Sequence, residues 1–177
     1  GLYKNRNPAL NAQQVETFLC QSLGVERILW INNGQLEGDD TDGHVDTLAR
    51  FCNENAIAHV ACRNPNDALF PSLQAMESEL ALFTNREGKP YKLLPLPLPD
   101  PIHNKHGKRL PATYANFLII NKAVLVPTYN DEADQQALDI ITQAFPGRKV
   151  IGIDCVSLIH QYGSLHCVTM QLPKTCL

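Results

Sequence analysis

A pattern that recurs about every 60 residues limits the folds open to this chain more than any other feature of its sequence. Segments with apolar residues at helical spacing begin near residues 11, 71 and 131. Asn11 can cap the first of these helices, and Pro71 stands in the first turn of the second. Strand-like apolar runs lie before and after the second and third helices. The sequence therefore predicts an α/β fold built from a repeated strand–strand–helix–strand unit.

The predicted strands are short apolar runs bounded by turn residues. They cover residues 26–31, 44–51, 56–62, 116–120, 123–127, 148–154 and 165–172. An extended, proline-rich stretch at 92–101 occupies the closing position of the first complete unit. On this interpretation the first unit lacks its opening strands, and the last retains only one. Such a chain is expected to be part of a longer array, with sheet edges that need a partner.

Charge and cysteine content exclude several classes of protein. The 177-residue chain has a formal net charge of -3, with 44% apolar and 19% charged residues, which is ordinary for a globular domain. It has no basic cluster for a nucleic-acid backbone and no apolar run of about 18 residues for a membrane span. Its six cysteines lack the short spacings of a zinc site or a disulfide framework. We therefore expect a cytoplasmic protein without nucleic-acid or membrane partners.

The densest polar segment, GDDTDGHVD at residues 38–46, contains four carboxylates and a histidine. If buried, so much charge needs a cationic or metallic partner. One interpretation is a plain polar turn, because Asp-Gly is a common turn sequence. A calcium loop is disfavoured, since Gly43 at its sixth position would put Gly38 and Ala49 where ligands belong. The third interpretation is a site in which carboxylates grip a planar guanidinium through paired hydrogen bonds.

A second segment, GSLHCVTMQLP at residues 163–173, places Cys167 in a predicted strand. A cysteine in an apolar strand is usually an inert core residue. A nucleophilic cysteine needs a base or a cation that maintains its thiolate. Strand alternation points His166 away from Cys167, whereas it places His44 and Asp46 together on one face of another strand. His44 is therefore the candidate base.

Five collinear segments resemble the agmatine deiminase family, also called the bacterial peptidyl-arginine deiminase family. They are NRNP, DDTDGHVDTLARF, YANFLIINKAVLVP, QAFPGRKVIGID and GSLHCVTMQ, and together they extend over almost the whole chain. The resemblance implies a pentein fold, a five-bladed α/β propeller of strand–strand–helix–strand units around a central channel. Residues 1–177 would then be the C-terminal half of a single catalytic domain, about half of the full fold.

The resemblance also implies a reaction and the residues that perform it. Cys167 is the expected nucleophile, His44 the general acid/base and Asp46 a carboxylate for the guanidinium nitrogens. Asp40 and Asp42 are expected to bind substrate. The implied reaction is hydrolysis of agmatine to N-carbamoylputrescine and ammonia, a step of putrescine biosynthesis, through a covalent amidino-cysteine intermediate. It requires neither a metal nor an organic cofactor.

Four alternatives remain open. The substrate could be a peptidyl-arginine, or the amidino group could pass to an amine, as in an amidinotransferase. The chain could be a catalytically silent binding or scaffold domain, because the resemblance places one guanidinium-binding carboxylate in the absent N-terminal half. A metal hydrolase using the aspartates is disfavoured, since no second ligand cluster exists in the sequence. An active protein is expected to need that N-terminal half or a homo-oligomeric partner.

Overall fold

A computed structural model describes residues 7–36 and 44–172, and the chain divides into two compact units, residues 1–32 and 33–177. In the first unit, helix α1 (Ala12–Leu23) begins at Asn11, as predicted. Asn11 and Gln14 exchange hydrogen bonds between side chain and backbone, each 2.9 Å long, which satisfies two donors at the start of the helix. Gly24 ends the helix in the left-handed region, with φ of 66°.

The second unit contains two consecutive strand–strand–helix–strand modules, which confirms the predicted repeat. The elements are β1 (Ala49–Asn53), β2 (Ala56–Val60), α2 (Phe70–Leu80), β3 (Lys92–Leu96), β4 (Leu118–Ile119), β5 (Ala123–Thr128), α3 (Asp134–Ala144), β6 (Lys149–Asp154) and a short helix α4 (Val156–Ile159). In each module the first two strands are antiparallel, and the helix returns the chain to a third strand parallel to the second. The two sheets have the orders β1-β2-β3 and β4-β5-β6.

The helix of each module buries an apolar face. The helix residues buried in this way are Leu73, Met76, Leu80, Ala137, Ile141 and Ala144. Helix α3 contacts β3 of the first module as well as β5 and β6 of its own, so the two modules share one core. Strand β2 is buried along its whole length, as is typical of a strand covered on both faces. Within the described residues, no helix is both long and apolar enough to cross a membrane.

Three predicted strands are wrong in kind or extent. Residues 26–31 form no strand. Strand β1 begins only at Ala49, because a 3-10 turn at Val45–Thr47 precedes it. Another 3-10 turn, His166–Val168, replaces the strand predicted for 165–172. A short apolar run does not by itself distinguish a strand from a tight turn, and here hydrogen bonds within the turns decide the outcome.

Candidate active site

Two 3-10 turns carry the candidate catalytic side chains, and the first lies just before β1. Thr47 donates its hydroxyl and its backbone N–H to the carbonyl of His44, at 2.7 and 3.2 Å. Thr113 Oγ1 in turn donates to the carbonyl of Thr47 at 2.9 Å. His44 and Asp46 therefore belong to one turn fixed from both ends. The prediction that they share the face of a strand is wrong.

The second turn holds Cys167. Thr169 closes it by donating its backbone N–H and its hydroxyl to the carbonyl of His166, at 3.0 and 2.8 Å. The chain also passes very close to the nucleophile candidate at Gly163. A Cβ added to Gly163 would lie 3.0 Å from Cys167 Cβ and 3.5 Å from its Sγ. Glycine at this position therefore leaves room for the thiol.

His44, Asp46 and Cys167 line a single cavity of about 480 Å³. The other lining residues are Thr47, Gln161, Tyr162, Gly163, His166 and Val168. The three predicted catalytic side chains thus come together, although Asp46 and Cys167 are 121 positions apart in the chain. Asp40 and Asp42 fall outside the described residues, so their role in substrate binding stays a prediction.

The carboxylate of Asp46 is held by two side chains. Its Oδ2 accepts hydrogen bonds from Nδ1 of His166 at 2.8 Å and from Nδ2 of Asn116 at 3.1 Å, and Cys167 Sγ lies 3.9 Å away. His166 therefore faces the site, and the expectation that its ring points elsewhere is wrong. That expectation assumed strand alternation, whereas side chains in a 3-10 turn are separated by about 120°.

Asn116 is a site residue that sequence reasoning missed. It is fully buried just before β4, and its Oδ1 accepts from the backbone N–H groups of His166 at 2.8 Å and Cys167 at 3.4 Å. The thiol lies 3.5 Å from the same oxygen, and the amide nitrogen donates to Asp46. One side chain thus joins the carboxylate to the turn that carries the thiol. The available signal was a polar residue inside the apolar run YANFLII, which needs a buried hydrogen-bond partner.

Arg50 of β1 adds a partly buried positive charge near the site. Its Nη1 donates to the carbonyl of Phe117 at 2.8 Å, and its guanidinium carbon lies 5.1 Å from the centroid of that ring. Burial lowers the pKa of Arg50, while the acidic groups of Asp46, Cys52 and Cys167 oppose this effect. The guanidinium of Arg50 is therefore within electrostatic reach of both the carboxylate and the thiol.

Tyr129 connects the two turns through hydrogen bonds outside the cavity. Its hydroxyl is hydrogen-bonded to the backbone N–H and carbonyl of Thr113, at 3.0 and 2.9 Å, and to Ser164 Oγ at 2.8 Å. Thr113 supports the first turn through Thr47, and Ser164 precedes the second. Burial raises the pKa of Tyr129, so the phenol is neutral and can donate. The network fixes both turns without occupying the cavity.

The site presents a thiol, two imidazoles and a hydrogen-bonded carboxylate. Such groups can bind a planar cation and attack its central carbon. Within residues 7–36 and 44–172, no group of three or more His, Cys, Asp or Glu side chains is placed to hold a metal ion.

A protein-family model described as Porphyromonas-type peptidyl-arginine deiminase matches residues 2–173. The chain belongs to this family. A curated relative from Marinomonas sp., provisionally named an agmatine deiminase, is 32% identical over 191 residues, which are 99% of this chain and 52% of that protein. The chain thus spans about half the length of the curated relatives it matches.

Solved deiminase structures resemble this family member over nearly its whole length. A C. jejuni agmatine deiminase with substrate bound has a TM-score of 0.86 and 43% identity, covering 93% of this chain and 47% of its own. The agmatine deiminase of Enterococcus faecalis also has a TM-score of 0.86, with 31% identity, covering 98% of this chain and 52% of its own. These matches confirm the predicted relationship and the α/β pentein class, while the five-bladed propeller stays a prediction.

An amidinotransferase of Microseira wollei from saxitoxin biosynthesis is a more distant match. It has a TM-score of 0.51 and 16% identity, covering 90% of this chain and 38% of its own. This likeness concerns the fold alone.

Proposed function

We propose that the complete protein hydrolyses a guanidino group, converting agmatine to N-carbamoylputrescine and ammonia for putrescine biosynthesis. The observation that carries this proposal is the cavity shared by His44, Asp46 and Cys167, with the thiol 3.9 Å from the carboxylate. The C. jejuni and Enterococcus faecalis structures bear the name agmatine deiminase, which supports the same reaction.

Recognition of the guanidinium falls to Asp46. Because Asn116 and His166 already hold its Oδ2, the plane of the carboxylate is set before substrate arrives. Hydrogen bonds between a guanidinium and a carboxylate are charge-assisted and roughly twice as strong as neutral ones. Asp40 and Asp42, which precede Asp46 in the sequence, would add further carboxylate contacts to the substrate.

The first chemical step forms a bond between sulfur and carbon. The thiolate of Cys167 attacks the guanidinium carbon, which becomes tetrahedral. His44 then gives a proton to the departing nitrogen, the C–N bond breaks, and ammonia leaves. The amidino group remains on sulfur as a covalent intermediate. A cationic substrate stabilises the attacking thiolate through Coulomb attraction, and this attraction is stronger in a cavity than in open water.

The second step returns the enzyme to its starting state. The neutral imidazole of His44 removes a proton from water, and the resulting hydroxide attacks the same carbon. The C–S bond then breaks and the new hydroxyl group loses its proton to solvent, which releases the neutral ureido product and the thiolate of Cys167. His44 keeps the proton taken from water for the next cycle. Water supplies the oxygen, and the reaction needs no redox partner.

A peptidyl-arginine is the second candidate substrate, since the matching family model carries that description. The guanidinium chemistry at Cys167 and Asp46 would be the same. The two substrates differ at the end remote from the guanidinium, which is a free ammonium in agmatine and a peptide in the other. Discrimination between them therefore depends on the rim of the cavity.

We also propose that the protein works in the cytoplasm and that its catalytic unit is completed by an N-terminal half or by a second copy. The described free thiols are Cys20, Cys52, Cys62, Cys155 and Cys167, which is in keeping with a reducing compartment. The match to about half of each longer relative supports a missing companion segment.

The proposed nucleophile can be tested by covalent trapping and by turnover. We expect 2-chloroacetamidine to modify the Cys167 peptide, and agmatine to yield ureido product and ammonia in the complete protein. Cys167→Ala should lose both the labelling and the turnover, because no thiolate remains to attack. Mass spectrometry of the peptides and an ammonia assay supply the measurements.

Cys52 offers a matched control. Burial raises the pKa of its thiol to about 11, so little thiolate forms near neutral pH. Cys52→Ala should therefore keep both labelling and turnover. Ureido product from Cys167→Ala would rule out the nucleophile assignment.

A further inference from the structure

Two hairpins of the chain are built in the same way, one from NREGK at 85–89 and one from NKHGK at 104–108. In each, the asparagine Oδ1 accepts from the N–H groups two and four positions later, at 2.9 and 3.0 Å. The glycines, Gly88 and Gly107, have φ of 78° and 76°. The hairpin backbone is therefore set by asparagine and glycine, and the lysine side chain at the end is not needed to form it.

The two lysines at equivalent positions make different contacts. Lys89 forms an ion pair with Glu87 at 2.7 Å on the surface. Lys108 instead places its ammonium 4.6 Å from the centroid of the Tyr162 ring, a cation–π geometry. Tyr162 lines the cavity that holds the candidate nucleophile. One hairpin thus brings a positive charge to the cavity rim, whereas its twin carries a lysine paired within its own hairpin.

The hairpin that carries Lys108 is anchored next to this contact. Arg109, next to Lys108, forms a largely buried ion pair with Asp67 at 2.9 Å, which anchors the hairpin to the module core. On the other side, Tyr162 has φ of 66°, a left-handed conformation that is uncommon for a residue with a bulky side chain. The residue after Tyr162 is Gly163, whose backbone lies against the thiol of Cys167. Tyr162 therefore precedes the glycine that leaves room for the thiol, and it lines the same cavity as Cys167.

We propose that Lys108, held on Tyr162, selects guanidines by the charge at their far end. The inference rests on the proposed function, since it assumes that a guanidinium binds at Asp46 beside Cys167. Charges in water interact over about one Debye length, 8–10 Å. A short substrate anchored at Asp46 extends through the cavity that Tyr162 lines, so its far end meets the charge that Lys108 places on that ring. The ammonium of Lys108 repels a cationic tail, such as that of agmatine, and attracts a carboxylate tail.

The aromatic ring gives this selection a second cause. A tyrosine face attracts an ammonium, and Lys108 already occupies that position on Tyr162. The far ammonium of agmatine would have to compete with Lys108 for the same ring. The positive charge of Lys108 therefore weakens the binding of agmatine, and removing that charge should strengthen it. Surface charges and exposed cation–π contacts are weak, so we expect changes of about two- to fivefold.

The test compares the charge preference of Cys167 alkylation in Lys108→Gln with that of the unchanged protein. Iodoacetate is anionic and iodoacetamide neutral, and the ratio of their rates at the Cys167 peptide measures the local potential without turnover. We expect Lys108→Gln to lower the ratio about two- to fivefold. We also expect kcat/KM for agmatine to rise by a similar factor relative to 4-guanidinobutyrate, whose tail is a carboxylate.

Two variants serve as controls. Lys108→Arg keeps the charge and should keep the ratio, and Lys89→Gln changes the twin hairpin and should leave it unaltered. An unchanged ratio in Lys108→Gln, or an equal shift in Lys89→Gln, would overturn the proposed selection. If the unchanged complete protein does not turn over agmatine, the proposed function fails, and the alkylation ratio still decides whether Lys108 sets the charge of the rim.

Discussion

The two strand–strand–helix–strand modules share one topology but contribute unlike residues to the candidate site, one on the cavity wall and one buried behind it. The segment before β1 supplies Asp46, and the segment before β4 supplies Asn116, which is fully buried. The turn with Cys167 comes after the second module, at the place where a third module would begin. Each module therefore delivers polar side chains from the same part of its structure, just before the first strand.

The contrast between the modules shows how equivalent positions of a repeat can carry residues with different chemical roles. The carboxylate of Asp46, before β1, can bind a cation. The neutral amide of Asn116, before β4, can donate to that carboxylate and accept from the turn that carries Cys167. A second carboxylate in place of the amide would repel the first and could not donate to it. The repeat sets where the side chains lie, and their chemical difference makes the site.

The two histidines of the cavity, one before β1 and one in the turn that carries Cys167, provide the largest expected difference. His44 lies in the turn before β1 and is the proposed acid/base, so His44→Ala should lower kcat about 10²- to 10⁴-fold. His166 holds Asp46 with one hydrogen bond, so His166→Ala should cost about tenfold, mainly in KM. Steady-state kinetics of ureido formation across pH would measure both effects.

The exposed His106 provides a control, since His106→Ala should leave kcat unchanged. If His166→Ala reduced kcat more than His44→Ala and also flattened the pH profile, the two roles would have to be exchanged.

Exchanging the charged and neutral residues tests the division of labour directly. In a Cys167→Ala background, Asp46→Asn should weaken agmatine binding by about 2 to 5 kcal/mol, because the guanidinium loses its charged partner. Asn116→Asp should lower stability, since it buries a second negative charge beside Asp46. The double exchange restores the number of charges but not their positions, so binding should stay weak. Calorimetry of agmatine binding measures each case.

Wild-type affinity in the double exchange would show that the location of the charge has no importance. Gln135→Glu, on the exposed part of α3, adds one negative charge elsewhere and should leave the binding constant unaltered.

Local chemistry explains which parts of this structure were predictable from sequence. The Asn11 cap and the Pro71 helix start depend on residues within a few positions of each other, and the structure confirms both. The module order arises from apolar periodicity, which is also local. By contrast, Asn116 acts on Asp46 and Cys167, 70 and 51 positions away, and no pattern near it indicates those partners.

The strands predicted at the two 3-10 turns are wrong for a related reason. The residues before β1 alternate as a strand would, but Thr47 is hydrogen-bonded by Thr113 from the next module. That contact is 66 positions distant in sequence. Similarly, His166 turns toward Asp46 because its backbone is held by Asn116. The geometry of the candidate site therefore depends on contacts between distant residues, whereas the framework around it depends on local ones.

The central strands of the two modules, β2 and β5, provide the smallest expected difference, which is in the pH dependence of stability. They also test how much a buried polar residue lowers stability. By strand register, His59 of β2 occupies the place that Val126 occupies in β5. His59 is fully buried; its Nδ1 donates to the carbonyl of Val60 at 3.1 Å, and its Nε2 has no hydrogen-bond partner among the described residues. Burial lowers the pKa of His59, so the ring is neutral in the folded protein.

His59→Val should make the first module resemble the second and reduce the pH dependence of stability. Below the pKa of about 6.5 that a histidine has in the unfolded chain, the unfolded state takes up a proton that the folded protein excludes. Stability therefore decreases as the pH is lowered. Above that value the histidine makes no such contribution. The wild-type free energy of unfolding should therefore fall more steeply than that of the variant, by up to about 1.4 kcal/mol per pH unit.

Urea unfolding at pH 7.5 and 5.5 measures this difference, and the slope with pH is the quantity to compare. The smaller valine leaves a void that lowers stability equally at both pH values, so the free energy of unfolding at a single pH does not test the prediction. His160→Gln, at an exposed position, should retain the wild-type slope. Parallel pH profiles for His59→Val and the wild type would mean that His59 is protonated while buried, with Glu77, the nearby acidic group, compensating its charge.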